Sequence, residues 1–398
     1  ALGNEVGFHT GLKSNFSNDS QIIYMTEGTE LIRQFSSKED LDNTVLIIDE
    51  FHERKSDADV LLAFAKKLIT ENGKNLKLVL MSATINSDQL SVFLDNAPII
   101  KITTPLYQVI TLHYPTKDMN DIILRSVKAN NNILVFLPGK QEIMHLRQEL
   151  IKLFRSYGVH ARILALHSDL PYEEQKLVFQ HSRPKVILAT NIAQTSITIS
   201  DIDIVIDTGL EKRVEIVDGI PTLITKQISK SDCIQRRGRV GRSSPGVYYL
   251  CSDFPYENRD EYPTPEIEVS SLEDILLLLT NFNISIDSLP FLDAPTSHLI
   301  EKSIQLLEKL GAIDKDGNIT DIGAQMCQIP LGVRSSRMIV EAKKYGIEAD
   351  MLICGLIQEI GKLGDILSIG DSCRSEQYIS DLVYQLNLFK SAYFDSNV

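Results

Sequence analysis

Two acids close an apolar run early in the chain. Val45-Leu46-Ile47-Ile48 leads into Asp49-Glu50-Phe51-His52. Acids at the carboxyl end of a parallel strand point into the crevice where ligands of such sheets bind. One carboxylate there can hold Mg²⁺, usually through water. Its neighbour can orient or deprotonate an attacking water. Solvated acids at a strand end are also common where no such chemistry occurs.

A second group is Gln235-Arg236-Arg237-Gly238-Arg239-Val240-Gly241-Arg242. Arg239 and Arg242 stand three apart, so a helix would put both on one face. Two guanidinium groups suit the spread charge of a transferring phosphoryl group. Arginine clusters are more often basic solvated turns, but Gly238 and Gly241 interleave here, which a plain solvated helix would avoid. A third group ends the run Lys185-Val186-Ile187-Leu188-Ala189 with Thr190-Asn191-Ile192-Ala193-Gln194-Thr195-Ser196. Small hydroxyl and amide groups there can bond phosphates without bulk, or simply cap a helix. Ser82-Ala83-Thr84 follows another apolar run and by itself says little.

These residues need strands to carry them. Strands are predicted at Gln21–Met25, Val45–Ile48, Lys77–Met81, Ile99–Ile102, Ile133–Leu137, Arg162–Leu166, Lys185–Ala189, Ile204–Ile206 and Val247–Leu250. The runs are apolar on both faces, as buried parallel strands must be. Helical stretches such as Asp57–Thr70 and Gln141–Tyr157 lie between them, so parallel α/β sheets are expected. A break near Thr103–Pro105 divides the alternation into two α/β lobes. Pro263 and Pro265 mark a linker. Ser270-Ser271-Leu272-Glu273 reads as a capping box opening a helix. A second helix runs from about Thr296 to Leu310 and stops at Gly311. Ile313 to Ile319 reads as a short hairpin turning at Asp316-Gly317, and another helix follows from Asp321. Helix, helix, small hairpin is the outline of a winged helix. Arg334 to Val398 reads as mostly helical.

Composition sets outer bounds. The 398 residues are 43% hydrophobic and 23% charged, which excludes a disordered or collagen-like chain. Cys233, Cys251, Cys327, Cys354 and Cys373 are odd in number and widely spaced. A disulfide framework is therefore disfavoured and a reducing compartment, cytoplasmic or nuclear rather than secretory, is expected. No apolar run approaches the roughly 18 residues that span a bilayer. The opening Ala1-Leu2-Gly3-Asn4 reads as the interior of a longer sequence rather than a leader. Net charge is −13, which argues against a generally sticky nucleic-acid binder. Residues 212–242 nevertheless carry a net +5, leaving −18 for the remainder.

Order and spacing then matter more than any single group. The chain resembles the DEAH/RHA-type (DExH) helicases of superfamily 2 over nearly its whole length. Tyr24-Met25-Thr26-Glu27-Gly28 is similar to motif Ib of that family. Asp49-Glu50-Phe51-His52 resembles motif II, with Phe51 where Ala is usual. Ser82-Ala83-Thr84 resembles motif III, Ile133 to Gly139 motif IV, Thr190 to Ser196 motif V, and Gln235 to Arg242 motif VI. The Arg236-Arg237 pair and Phe51 are closer to viral members than to splicing factors.

The resemblance implies two RecA-like parallel-sheet lobes, the first incomplete, then a winged helix and a helical ratchet-like segment. The boundaries follow as 1–104, 105–262 with an inserted hairpin near 212–226, 263–330, and 331–398. It implies ATP or another NTP with Mg²⁺ as cofactors and RNA as the polynucleotide, entered at a single-stranded 3′ overhang or duplex junction. The expected protein is a monomer without a membrane, open to an activating protein partner. Asp49 would hold the metal with Glu50, and Glu50 would be the base. Gln235 would position the water, and Arg239 and Arg242 would be arginine fingers. His52, Gly238, Ser196 and Thr198 would border the nucleotide. Ser82 and Thr84 would couple hydrolysis to strand movement. Thr26, Gly28, Thr190, Asn191 and Thr195 would meet the nucleic-acid backbone.

Three departures stand out. Gln194 sits where the family usually has Glu. Ser200 sits where an Asp near the nucleotide is usual, with Asp201 one position later. A phosphate-binding G-x-x-x-x-G-K-[ST] loop is absent, since Gly73-Lys74, Gly139-Lys140 and Gly361-Lys362 are not followed by Ser or Thr. Family order would place that loop before residue 1, so these residues alone are expected to hydrolyse ATP poorly. Two other functions compete: a non-catalytic RNA- or protein-binding module with a helicase-like body, and a DNA translocase.

Overall fold

A computed structural model describes residues 2–10, 13–36, 44–72, 75–102, 107–194, 197, 199–217, 220–360 and 380–395. In chain order its strands are β1 (Val6–His9), β2 (Ser14–Asn15), β3 (Ile22–Met25), β4 (Val45–Ile48), β5 (Lys77–Leu80), β6 (Val109–Tyr114), β7 (Ile133–Phe136), β8 (Arg162–Leu166), β9 (Lys185–Ala189), β10 (Ile204–Asp207), β11 (Leu210–Val217), β12 (Ile220–Gln227) and β13 (Gly246–Cys251). The helices are α1 (Glu27–Ser36), α2 (Ser56–Asn72), α3 (Ser87–Phe93), α4 (Met119–Lys128), α5 (Lys140–Ser156), α6 (Tyr172–Gln175), α7 (Lys230–Arg237), α8 (Glu273–Asn281), α9 (Ser297–Lys309), α10 (Asp321–Met326), α11 (Val333–Ala342) and α12 (Glu348–Ile360), with a last helix at Asp381–Asp395. They form two compact units. One takes the described residues of Thr44–Ser56 and Lys77–Ser270, the other those of Ala1–Asn43, Asp57–Leu76 and Ser271–Val398.

In the first of these units, a six-stranded parallel sheet runs β6-β13-β10-β7-β9-β8. Its central strands alternate between two cores, which explains their unbroken apolar runs. Ile133, Val135, Val186, Leu188, Ile204 and Ile206 pack with Ile123 of α4 and Leu146, Leu150 and Phe154 of α5. Leu134, Phe136, Ile187, Ala189 and Val205 face the other way, toward Ile199, Ile202, Ile228, Cys233 and Val240. Emptying one of these fully buried positions, as in Leu150→Ala, costs about 2–5 kcal/mol. Beside this sheet in the sequence, β4 and β5 form a separate parallel pair in register from Val45↔Lys77 to Ile48↔Leu80.

Two strand expectations need correction. Ile99–Ile102 is not a strand: Pro98 cannot donate to a ladder, and Ile100 and Ile102 are 83% and 87% exposed. Nor are β4 and β5 buried on both faces, because Val45, Ile47 and Val79 are exposed. The expected inter-lobe break at Thr103–Pro105 lies outside the described residues.

The β11–β12 hairpin pairs antiparallel from Leu210↔Gln227 to Val217↔Ile220, longer than its central residues alone predict. Its Asp218-Gly219 turn lies outside the described residues. At the root, Arg259 Nη1 donates to the carbonyls of both Gly209 and Ile228 at 2.9 Å. Gly209 has φ +67°, and a Cβ there would sit 2.2 Å from Arg259 Nη2, so only glycine fits.

In the other unit, β1 runs parallel to β3 and antiparallel to β2. Phe35 of α1 meets Phe64 of α2 edge-on at 4.7 Å and Phe282 at 5.5 Å. Thr296 caps α9 through the Leu299 N–H, and Gly311 follows it at φ +70°. Ile313 and Ile319 bridge antiparallel, with Asp314 accepting the N–H groups of Asp316 and Asn318. Those backbone bonds, the Asn318 one foremost, hold the Asp314 carboxyl below its usual range. The predicted capping box before α8 does not form. Leu272 is the N-cap, no side chain caps the helix, and Ser303 Oγ accepts the Leu272 N–H instead. No described helix is long and apolar enough to cross a membrane.

Candidate active site

Parallel pairing brings the ends of β4 and β5 to one side. The Met81 N–H bonds the Ile48 carbonyl at 2.9 Å, and the Phe51 N–H bonds the Met81 carbonyl at 3.1 Å. Phe51 is buried and anchors the turn that follows. Glu50 precedes it at φ 51°, ψ 34°, a left-handed conformation uncommon for a residue with a Cβ and frequent at functional sites. Asp49 and Glu50 are both exposed, and Asp49 Oδ1 accepts the Glu50 N–H at 2.8 Å.

His52 joins the two strand ends. Its side chain is 3% exposed. Nδ1 accepts the Ala83 N–H at 3.4 Å, so in the neutral ring Nε2 carries the hydrogen. Nε2 lies 3.3 Å from Glu50 Oε2 but is not aligned as a hydrogen bond. Ser82 stays exposed, and Thr84 is half-buried.

The arginine-rich segment belongs to the same unit. Ser229 starts α7 with a complete capping box: its hydroxyl accepts the Asp232 N–H, and Asp232 accepts the Ser229 N–H. That fixes Gln235 and Arg236 one turn further on. Gln235 Nε2 donates to Thr84 Oγ1. The predicted water-positioning amide and the predicted coupling hydroxyl are therefore in direct contact.

Arg239 and Arg242 do not share a helical face, because α7 ends at Arg237 with Gly238 as its C-cap. They stand on a turn that Gly241 permits: its φ is +81°, and a Cβ there would meet Val109 Cγ2 at 2.4 Å. Gly238, at φ −65°, needs no such freedom. Arg239 Nη1 bonds the Ile197 carbonyl at 3.2 Å, while its buried Nε has no protein partner. Burial, and then the Arg242 charge, lower the Arg239 guanidinium to about 10, with Glu50 acting in the opposite sense. It remains a cation at neutral pH, and Glu50 is close enough to act on it. Arg242 Nε bonds the Gly238 carbonyl.

The structure thus gathers Asp49, Glu50, His52, Ser82, Thr84, Gln235, Arg239 and Arg242 in one unit. Thr190 and Asn191 are in that unit too, at the end of β9, where Thr190 N-caps a short turn and Asn191 is exposed. Thr26 and Gly28 belong to the other unit. There Thr26 Oγ1 contacts Thr29 Oγ1 at 2.7 Å, and a Cβ on Gly28 would lie 2.7 Å from Asp57 Oδ2. Thr195, Ser196 and Thr198 lie outside the described residues.

Sequence reasoning missed a buried polar network beneath the site. Gln194 Nε2 donates to Asp232 Oδ1 at 2.8 Å and to Gln235 Oε1 at 3.1 Å. Its Oε1 accepts from Arg236 Nε at 2.9 Å. Arg236 Nη1 reaches Asp207 Oδ1 at 2.7 Å, and Tyr248 donates to Asp207 Oδ2 at 2.8 Å. Signals were present: Asp207 is an acid ending an apolar strand, and Ser229-Lys230-Ser231-Asp232 has capping-box spacing. Asp201 makes no such contribution. It faces Lys185 at 2.9 Å and Asn132 at 3.1 Å.

The local positive charge is also largely answered. Lys212, Arg213, Lys226, Lys230 and Arg236 pair with Glu142, Glu211, Glu215, Glu261 and Asp207. Arg237 stays exposed with a 3.5 Å contact to the Val109 carbonyl.

Comparison with known proteins finds the following likenesses. Residues 116–244 match the helicase conserved C-terminal domain. Residues 303–331 match the helicase associated domain (HA2), winged-helix. The chain is 33% identical over 375 residues to the ATP-dependent RNA helicase HrpA homolog of Haemophilus influenzae, covering 88% of this chain and 28% of that protein. It is 32% identical over 374 residues to ATP-dependent RNA helicase HrpA of Escherichia coli, with the same coverage. The crystal structure of Escherichia coli DEAH/RHA helicase HrpB superposes with TM-score 0.79 at 26% identity, over 99% of this chain and 51% of that one. The chain is thus similar to DEAH/RHA-type helicases of superfamily 2. It spans under a third of the length of the HrpA proteins it matches.

Proposed function

We propose that this chain supplies most of the machinery by which an ATP-dependent RNA helicase couples hydrolysis to movement along a strand. The observation that carries this is the contact between Gln235 and Thr84, in the unit that also holds Glu50, His52 and Arg239. A binding scaffold without turnover has no need for an acid pair, a water-positioning amide and two arginines held together.

Asp49 and Glu50 fit Mg²⁺ by donor chemistry: both are exposed carboxylates, and Mg²⁺ takes one or two of these while keeping waters and substrate phosphates. When bound, the ion would neutralise charge building on the phosphates. Glu50 accepts the proton of the attacking water. Gln235 orients that water through the amide that also holds Thr84. Arg239 and Arg242 stabilise the charge of the transferring group. His52, between Glu50 and Ala83, carries the state of the acid pair to the Ser82–Thr84 segment. Ser196 and Thr198 border the nucleotide, and Thr26, Gly28, Thr190, Asn191 and Thr195 track the RNA backbone. RNA enters at a single-stranded 3′ overhang or duplex junction, and the protein acts as a monomer.

The 398 residues contain no G-x-x-x-x-G-K-[ST] loop, so nothing in them supplies the backbone cradle and Lys that hold β- and γ-phosphates. By themselves they hydrolyse ATP slowly. Brisk RNA-stimulated hydrolysis by these residues alone would overturn that point. The central test uses the protein that carries this chain. Glu50→Gln keeps ATP binding and lowers kcat by roughly 100-fold or more, the scale of a lost general base. A variant turning over at the wild-type rate would remove Glu50 from the role.

A further inference from the structure

The amino ends of β8 and β9 hold a feature that the hydrolysis reading does not use. Residues 158–161 lead from α5 into β8, and residues 182–184 lead into the parallel β9. Both segments line a cavity of about 640 Å³. Thr190 and Asn191 follow the other end of β9, across five residues and roughly 16 Å.

The floor of the cavity is apolar. Ile151, Phe154, Val159, Ile163 and Pro184 line it, and Phe154, Val159 and Ile163 also join the core beneath α5. The rim is basic. Arg155, His160, Arg162 and Arg183 line the same cavity and are all exposed. No Asp or Glu is among the described residues that line it, in a chain whose net charge is −13. Arg183 is committed to Asp203 at 3.0 Å. Arg162 spends one nitrogen on Gln180 Oε1 at 2.8 Å. Neither Arg155 nor His160 has a side-chain partner among the described residues. Arg155 stands in the last turn of α5, where a basic side chain suits the negative helix end. That accounts for one arginine, not for three around an apolar floor.

Charge and shape select the occupant. Arginine takes a carboxylate through two parallel hydrogen bonds, so the rim suits acids. A small ligand is enclosed over most of its surface in its site, whereas this rim is exposed. Single-stranded RNA stacks its bases on aromatic faces, and Phe154, the phenyl ring in the lining, is 4% exposed. We propose that this cavity docks an acidic segment of a protein partner, with one apolar side chain on the floor and flanking carboxylates on Arg155 and Arg162. This goes beyond the hydrolysis reading and does not rest on it.

The test selects a phage library of random dodecapeptides on the protein that carries this chain, then measures the enriched peptides by fluorescence anisotropy. Selection is expected to enrich sequences in which Leu, Ile, Met or Phe stands between acids. Arg155→Glu with Arg162→Glu weakens their binding roughly 10-fold or more, the scale of like charges set against each other across an interface. Ile151→Ser weakens it about threefold through lost apolar contact. Lys315→Glu, a charge reversal at an exposed residue of the other unit, leaves it unchanged. Raising NaCl from about 50 to about 300 mM weakens binding severalfold, because exposed charges are screened. The three side chains changed at the cavity are exposed, so these variants melt with the wild type. No enrichment over an unrelated protein would overturn the proposal, as would enriched peptides that bind the double variant as tightly as the wild type. A single-stranded RNA oligonucleotide that displaces the peptides, and loses affinity equally in the double variant, would overturn it by making the cavity an RNA contact.

Discussion

Arg236 and Asp207 form an ion pair of 2.7 Å in which the two side chains are 1% and 0% exposed. The carboxylate also takes the Tyr248 hydroxyl and the Gly209 N–H, and the guanidinium lies over the Phe136 ring at 4.9 Å. Neither charge has water to fall back on. Asp207→Ala takes the ion-pair partner from the buried guanidinium, which costs about 3–5 kcal/mol. The check is the urea midpoint of unfolding, and an unchanged midpoint would show that solvent reaches the pair.

Glu211 sits at the edge of the same network, its side chain 13% exposed. Burial raises its carboxyl above the usual glutamate range; Arg213 opposes the rise and Asp232 adds to it. The folded state thus holds that proton more tightly than the unfolded chain. Stability therefore falls as pH climbs through the window just above the ordinary glutamate value. Glu211→Gln, which mimics the protonated form, raises the melting temperature at pH 7.5. The gain fades as pH drops below that window. A variant less stable than wild type at every pH would make the Arg213 pair the dominant contribution.

Arg242 is exposed on the turn after α7, held by the Gly238 carbonyl. In the proposed reaction its removal would take a positive charge from the transferring phosphoryl group. Arg242→Ala lowers kcat by roughly 1,000-fold in the protein that carries this chain, the lower end of what an arginine finger contributes, and leaves RNA affinity within a few-fold of wild type. Equilibrium RNA binding beside single-turnover hydrolysis separates the two. A pure RNA-binding defect would move Arg242 out of the nucleotide site.

Cys233 and Cys251 are buried, and burial above all pushes each thiol up to about 12. The thiolate is the reactive form, so neither residue is alkylated at pH 8 while the fold persists. Iodoacetamide labelling followed by peptide mapping should find both unmodified in native protein and both modified in 6 M guanidinium. Native labelling of Cys233 would mean that α7 opens readily.

Much of the candidate site was readable because its acids and hydroxyls end runs of strand-forming residues, and parallel strands deliver such ends to one side. Asp49, Glu50, Ser82 and Thr84 follow from that rule, whereas Gln235 stands on α7. The rule failed for Ile99–Ile102, where composition resembles a strand but Pro98 cannot donate to a ladder and Ile100 and Ile102 are exposed. It failed for Ser270, whose spacing matches a capping box although Leu272 is the N-cap of α8 and no side chain caps that helix. Gln194 was visible only as a departure from a pattern. Its place in the buried network depends on Asp232 and Arg236, whose convergence is a tertiary fact that no local spacing encodes.

The root of the β11–β12 hairpin carries a mechanical consequence. Two eight-residue strands rise about 3.4 Å per residue, which makes a slender cantilever roughly 27 Å long. Arg259 clamps both strands at its base through the Gly209 and Ile228 carbonyls, and Gly209 directly follows the Asp207–Thr208 step. A sideways load on these strands, braced also by Lys212 on Glu142 and Arg213 on the Thr264 carbonyl, reaches their root beside Asp207, the anchor of Arg236. Work done on the hairpin and the alignment of Gln235 are in this way fastened to one carboxylate.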